Sequence, residues 1–306
     1  MAVNLARSFL WWHAGTDIQF HLITDQKNLV AADIANRVQI VEVETEQLGD
    51  GFSSKLYLDK LAPAGQTLFI DSDCLIYGNL NPVFEQFKGH DVSVVGNYIS
   101  NGEWFGDVAS ICKKLKITRL PKFNGGVYYL EKGDIASRVY NDARRLEAEY
   151  DSIGFTRLRG LPNDEMLMAA AMELNHQTPI ADNGNILAEF VNFQSGIKSN
   201  LLNGTVELYN NPADVRFQKS WHLTIARPLI VHYLGYYNLL MPYTKEVKQL
   251  EYLFVNKWPQ NKVRLLTYIQ VTLPFTIRMG IKKTLRPLYR LIFGIRQIEK
   301  SERVLQ

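Results

Sequence analysis

An α/β fold, built on a mostly parallel sheet with helices on its faces, is what this sequence predicts, and three observations carry the prediction. Short apolar runs alternate with stretches of helical spacing through the first two-thirds of the chain. One of those runs, Thr67-Leu68-Phe69-Ile70, lacks the polar alternation of a half-exposed strand. A chain of 306 residues with 46% apolar content is also long enough to bury one large core.

In order along the chain, residues 19–24, 38–43, 67–70, 92–95 and 127–130 read as strands. Residues 53–61, 134–150 and 163–174 have helical spacing and plausible caps. Residues 67–70 should form a central strand buried on both sides, with Asp71-Ser72-Asp73 emerging at its carboxyl end. In open α/β sheets that end is where ligands bind.

Composition narrows the function classes. Two cysteines, Cys74 and Cys112, are too few for a disulfide framework and have no metal-ligand spacing, which fits a reducing, cytoplasmic setting. The N-terminus has neither the charged head nor the apolar run of a signal peptide, and no charge-free run approaches the ~20 residues that span a bilayer. The net charge of +3 hides an asymmetry. Residues 245–306 carry 13 Lys/Arg against 4 Asp/Glu, a charge of +9, leaving 21 against 27, or −6, on residues 1–244. The tail therefore suits an anionic partner, and a boundary is expected at Thr244.

Two carboxylates one residue apart, leaving a strand for a turn, repel each other unless a divalent cation lies between them. Asp71 and Asp73, with Ser72 between, are candidates for such a site; a plain Asx-turn is the competing reading of the triplet. Three later segments add to it. In Phe123-Asn124-Gly125-Gly126-Val127 the paired glycines permit close backbone approach, and Asn124 both donates and accepts. In Leu161-Pro162-Asn163-Asp164-Glu165, Asn163 can cap a helix with Asp164 and Glu165 in its first turn. In Ile230-Val231-His232-Tyr233-Leu234-Gly235, a buried strand ends in an imidazole.

These four segments in this order resemble family 8 glycosyltransferases, retaining enzymes of GT-A fold that include lipopolysaccharide galactosyltransferases and glycogenin. The likeness runs from about Leu5 to Gly235. It implies a Rossmann-like mixed sheet flanked by helices. It also implies that Asp71, Asp73 and His232 hold manganese, or magnesium, on the diphosphate of a nucleotide-sugar donor such as UDP-galactose or UDP-glucose. By the same resemblance, Asn124 meets the donor sugar beside Asp164 and Glu165. Gly125, Gly126 and Gly235 allow close approach of the backbone, and Lys55 lies near nucleotide and sugar. A glycan or glycolipid would be the acceptor. Two departures stand out. The family's first strand and the Tyr-bearing loop that cradle the base have no counterpart here, where the chain starts at the helix that follows them. After Gly235, where the family commonly carries a phosphate-binding lysine, the chain reads Tyr236-Tyr237-Asn238-Leu239, and Lys245 is the next candidate. The stretch Asn101-Gly102-Glu103-Trp104-Phe105-Gly106-Asp107 has the content of a sugar-stacking loop or of a plain surface insertion.

In the tail, Ile281, Leu285, Leu288, Ile292 and Ile295 recur at helical spacing, and Lys282, Lys283, Arg286, Arg290 and Arg296 occupy much of the remaining face. That pattern predicts an amphipathic helix lying on an anionic membrane surface, at the cytoplasmic face, with Pro274 and Pro287 dividing the tail into short helices. Nucleic acid is disfavoured as a partner, because the basic residues are mixed with bulky aliphatics and no binding motif appears. Two other functions stay open: a non-catalytic nucleotide-sugar-binding relative at the membrane, and a haloacid-dehalogenase-type phosphatase, which also ends an apolar strand in Asp-x-Asp.

Overall fold

The computed structural model describes residues 1–44 and 51–294. The chain divides into two compact units, Met1–Leu234 and Gly235–Gln306, ten residues before the charge boundary at Thr244.

The first unit opens with α1 (Ala2–Trp12), β1 (His21–Thr24), α2 (Ala32–Ala35) and β2 (Gln39–Glu42). A 3-10 segment, Gly51–Tyr57, leads into α3 (Leu58–Leu61), β3 (Gln66–Ile70), β4 (Cys74–Ile76), α4 (Asn81–Phe87), β5 (Val92–Ser93) and β6 (Gly96–Ile99). Then come α5 (Val108–Leu115), β7 (Leu120–Phe123), β8 (Val127–Glu131), α6 (Asp134–Ala148), α7 (Tyr150–Ile153) and α8 (Asp164–Leu174). The unit closes with β9 (Leu187–Glu189), β10 (Gly196–Asn200), β11 (Thr205–Tyr209), β12 (Ile225–Ala226) and β13 (Ile230–His232).

The fold is mixed α/β, with its sheets flanked by helices. The expected predominance of parallel pairing is corrected: among the described residues, parallel ladders join β1 to β2 and β9 to β13, and the other ladders are antiparallel. Residues 67–70 differ from expectation too. β3 stands at the end of a three-strand order β3-β8-β5, and its side chains are only partly buried. Its neighbour β8 is the deeper of the pair, with no exposed surface on Val127, Tyr128, Tyr129 and Leu130. A four-residue apolar run says that a strand is shielded, and carries no information about its direction or its number of neighbours.

Two helices hold the framework around the Asp71–Asp73 turn. In α8, Asn163 accepts from the Glu165 backbone N–H at 2.7 Å, a cap that stabilises a helix start by about 1 kcal/mol. Residues Met166, Leu167, Met168, Ala169, Ala170, Ala171 and Met172 are buried on every face, so α8 is a core helix, packed on α6 and β7. Across the sheet, α1 packs on β4, where the Ser8 hydroxyl accepts from the Ile76 N–H at 3.1 Å and supplies the partner that an edge strand lacks. His13 Nε2 accepts from the Leu80 N–H at 2.9 Å just beyond, and Arg7 clamps Asp33 of α2 with two bonds of 2.8 and 2.9 Å.

The second unit holds a 3-10 segment (Gly235–Leu239), α9 (Tyr243–Phe254), α10 (Gln260–Thr267), a π turn (Tyr268–Thr272) and α11 (Leu273–Phe293). α9 packs on α10 around Leu250 and Val263, both fully buried. Pro274, the second residue of α11, follows directly on the π turn, where the helical ladder is already displaced from its i−4 spacing. Pro287, expected to divide the tail, lies inside α11. Ile277, Ile281, Leu285, Leu288 and Ile292 are all more than half exposed. Ile295 and Arg296 lie outside the described residues. Among those described, no helix is long and apolar enough to cross a membrane.

Candidate active site

The site is built where two ladders meet. The antiparallel β3–β8 register ends with Ile70 opposite Val127, and one residue further the Asp71 N–H donates to the Gly126 carbonyl at 2.9 Å. The Cys74 N–H then donates to the Asp71 carbonyl at 3.0 Å, closing a turn with Ser72 at its exposed apex. Beyond it β4 pairs with β13, setting His232 opposite Cys74, and the Tyr233 N–H donates to the Asp73 carbonyl at 3.1 Å. Asp71 is thereby tied to the Asn124-Gly125-Gly126 turn and Asp73 to the end of β13.

His232 links the two. Its Nδ1 is 2.7 Å from Asn124 Oδ1, the same oxygen that accepts the Gly126 N–H at 2.9 Å. An amide oxygen only accepts, so Nδ1 carries the proton, and in the neutral ring Nε2 keeps its lone pair. Nε2 lies 3.0 Å from Asp73 Oδ1 and 3.9 Å from Asp71 Oδ2. Burial lowers the basicity of His232, but the hydrogen bond and charge of Asp73, with Asp71 and Glu189, outweigh it and raise the ring above its ordinary value. Against its own burial, Asp73 is held below the usual carboxylate range by the same contact.

Lys55 forms the second focus. Its ammonium donates to Asp71 Oδ2 at 2.8 Å and to the Gly125 carbonyl at 2.7 Å, and lies 3.5 Å from Asp164 Oδ2. Burial works against the charged form, yet Asp164, Asp71 and Glu165 push the lysine up and keep it an ammonium. Asp71 is itself pushed up by burial, with Lys55 opposing. Asp164 Oδ2 accepts from the Tyr128 hydroxyl at 2.5 Å, and Glu165 Oε1 accepts from the Gly125 N–H at 2.8 Å. Burial first, and the Asp164 charge second, raise Glu165 above the usual carboxylate range.

The glycines follow from this crowding. A Cβ on Gly126 would stand 2.7 Å from His232 Nδ1 and 2.8 Å from Asn124 Oδ1; one on Gly125 would stand 2.9 Å from Asp164 Oδ2. Ten of the twelve residues singled out from sequence therefore fall in the first unit and in one connected region: Lys55, Asp71, Ser72, Asp73, Asn124, Gly125, Gly126, Asp164, Glu165 and His232. Gly235 and Lys245 belong to the second unit. There Gly235 adopts φ +64° at the head of the 3-10 segment, and Lys245 lies 2.8 Å from the buried Glu246.

Three residues that sequence reasoning passed over join the site. Tyr128 was hidden in an apolar strand. Glu189 is set opposite His232 by the β9–β13 register, which no local pattern announces. Cys74, which has no metal-ligand spacing in sequence, brings its sulfur together with ligand atoms of Asp73 and His232, all within 4.8 Å of one another. In the 101–107 loop the sugar-stacking reading is corrected for Trp104, which is 8% exposed and packs edge-on to Phe123 in the core.

The donor set fits a divalent cation: a carboxylate held deprotonated, an imidazole whose Nδ1–H is pinned so that Nε2 is presented, and a second carboxylate 3.9 Å away. A cavity of about 360 Å³ lies elsewhere, lined by Phe9, His13, Phe20 and Arg37, and holds none of these groups.

No protein-family model matches the sequence, and no curated protein matches it. By structure the chain is similar to the galactosyltransferase LgtC in complex with donor and acceptor sugar analogs, with a TM-score of 0.52 and 12% identity, covering 87% of this chain and 90% of that one. An active-site mutant of LgtC (TM-score 0.49, 13% identity, 76% and 82% covered) and the glycosyltransferase GlyE of Streptococcus pneumoniae (0.46, 12%, 86% and 61%) are weaker likenesses. What is shared at this identity is the fold, the GT-A arrangement.

Proposed function

We propose that this protein is a glycosyltransferase of the family 8 type, transferring a hexose from a UDP-linked donor to a glycan or glycolipid acceptor with retention at the anomeric carbon. The observation that carries the reading is the chain of contacts from Asp73 through His232 and Asn124 to Gly126, joined through Asp71 and Lys55 to Asp164. Groups suited to a diphosphate-bound cation and groups suited to a sugar thus share one network, on a fold of glycosyltransferase type.

Asp71, Asp73 and His232 would hold manganese or magnesium, which supplies Lewis-acid stabilisation of the charge that develops on a leaving diphosphate. The remaining roles belong to the chain. Asn124 spends its amide oxygen on His232 and Gly126, so its amide nitrogen is the group left to donate to a sugar hydroxyl. Tyr128 and the Gly125 N–H each occupy one carboxylate oxygen, of Asp164 and Glu165 respectively, which fixes the orientation of both acids. The free oxygens are then the candidates to face the anomeric carbon or the acceptor. Lys55 keeps a positive charge between the acids, which lowers their mutual repulsion when no donor is bound.

The second unit suits attachment at the cytoplasmic face of a membrane. On α11 the exposed apolar stripe runs beside Arg278, Lys282, Lys283, Arg286 and Arg290, all exposed. Incubation of the full chain with a panel of nucleotide-sugars and manganese, following release of nucleoside diphosphate, tests the enzymatic reading. Turnover of a generic phosphate ester with no sugar release would favour the phosphatase. Saturable UDP-sugar binding without turnover would favour the non-catalytic relative.

A further inference from the structure

We propose that Cys74 is a metal ligand, completing with Asp73 and His232 a sulfur-containing site that prefers thiophilic divalent cations, zinc or cobalt, to magnesium. The inference rests on the reading of this region as a cation site, and it assigns that site a different third ligand from the one expected of Asp71.

Geometry brings Cys74 within reach of the same ion. The Cys74 sulfur, one Asp73 oxygen and one His232 nitrogen lie within 4.8 Å of one another, and His232 Nε2 lies 3.0 Å from Asp73 Oδ1. Zinc bonds of ~2.0–2.3 Å to O, N and S place neighbouring ligands of a tetrahedral ion a little over 3 Å apart, so a modest inward shift of the thiol closes the third vertex. Asp71 is committed elsewhere, its Oδ2 2.8 Å from the Lys55 ammonium. Recruiting Asp71 breaks or shares that ion pair, which also leaves Lys55 to be held by Gly125 and Asp164 alone. Recruiting Cys74 leaves it intact.

Charge agrees. Asp71 and Lys55 neutralise each other, so an ion at the Asp73–Cys74–His232 triangle meets one carboxylate, one neutral imidazole and one thiol. On binding, the thiol loses its proton to solvent and becomes the thiolate ligand, any proton on His232 Nε2 is displaced to solvent as well, and the two negative charges of carboxylate and thiolate then match a divalent cation. Cys74 is fully buried, and its thiol faces the Gly126 carbonyl, 4.0 Å from the sulfur. Asp73, by contrast, keeps about a fifth of its side chain exposed and gives solvent a way in. Sulfur selects zinc and cobalt; magnesium needs near-ideal octahedral oxygen donors that this triangle does not offer.

Cobalt substitution reads the ligand directly. The metal-free full chain titrated with Co²⁺ should develop a near-ultraviolet thiolate-to-cobalt charge-transfer band. That band should vanish in Cys74→Ser and persist in Cys112→Ser, the other buried thiol serving as control. Calorimetry in two buffers of different ionisation enthalpy should show one more proton released per zinc bound by the wild type than by Cys74→Ser, since any proton displaced from His232 is common to both. Zinc affinity should fall about tenfold or more in that variant while manganese affinity changes by less than about threefold. Cobalt bound without the band, or equal zinc affinity in Cys74→Ser, overturns the assignment of Cys74 and leaves the cation site standing. Failure of every divalent ion to bind overturns both.

Discussion

The imidazole of His232 and the side-chain amide of Asn124 lie 2.7 Å apart, with the proton on the histidine side. This contact joins the end of β13 to the turn before β8, elements 108 residues apart in the chain, and determines which nitrogen of His232 faces Asp73. Its disruption, and that of two neighbouring contacts, has measurable consequences, as does loss of the separate Arg7–Asp33 pair.

Asn124→Ala removes the acceptor for the Nδ1 proton, and the ring can then rotate or change tautomer. Metal affinity measured by calorimetry should fall about 10–100-fold, with the thermal midpoint changed far less than by a core deletion. Unchanged metal affinity would mean that His232 is oriented by something else.

Gly126→Ala puts a methyl group 2.7 Å from His232 Nδ1. The side chain that must yield is buried, so the histidine moves off Asn124. Donor and metal binding should be lost together, while circular dichroism stays that of the wild type. An Ala variant with normal donor affinity would show that the crowding around Gly126 is not limiting.

Tyr128→Phe deletes the 2.5 Å bond to Asp164 and leaves a buried carboxylate one donor short. Hydrogen bonds to charged groups contribute about 1.5–3 kcal/mol, and a loss of that size should appear in chemical denaturation. Turnover should fall more than donor affinity does, because the metal-holding residues are untouched. A fall in affinity alone would place Tyr128 on the nucleotide side.

Asp33 should give stability a specific pH dependence. Its hydrogen bonds from Arg7 hold the carboxyl below the usual range against the effect of burial. A depressed folded-state value means that the unfolded chain takes up the proton first. The stabilisation is therefore complete above the ordinary carboxylate range and is lost as pH falls from there through the lower folded-state value. Denaturation midpoints of wild type and Asp33→Asn should be farthest apart near neutrality and converge in acid. A constant gap would exclude a role for this charge.

Legibility in the sequence divided along physical lines. Local signals were readable: the Asn163 cap, the helical run after it, the apolar strand before Asp71, and the basic stripe of α11. The resemblance picked out Asn124, Asp164 and His232; the structure bonds Asn124 to His232 directly and connects Asp164 to them through Lys55. Long-range pairing was not readable. Nothing in residues 67–70 says that β3 runs antiparallel to β8, or that β13 carries His232 back beside Cys74. Tyr128 and Cys74 were missed for the same reason: each looks like a core residue by its neighbours in sequence, and only the fold shows which polar group it meets. Trp104 shows the converse error, an aromatic in a polar loop that serves the core.

The central claim is that Asp73 serves a nucleotide-sugar site. The most direct test measures binding and manganese-dependent turnover of UDP-galactose and UDP-glucose by the wild type and by Asp73→Ala. Metal-dependent binding and sugar release are expected of the wild type, and loss of both in the variant with the fold intact, since Asp73 sits in a turn with about a fifth of its side chain exposed rather than in the core. Equal donor affinity in the two proteins, with or without metal, would contradict it.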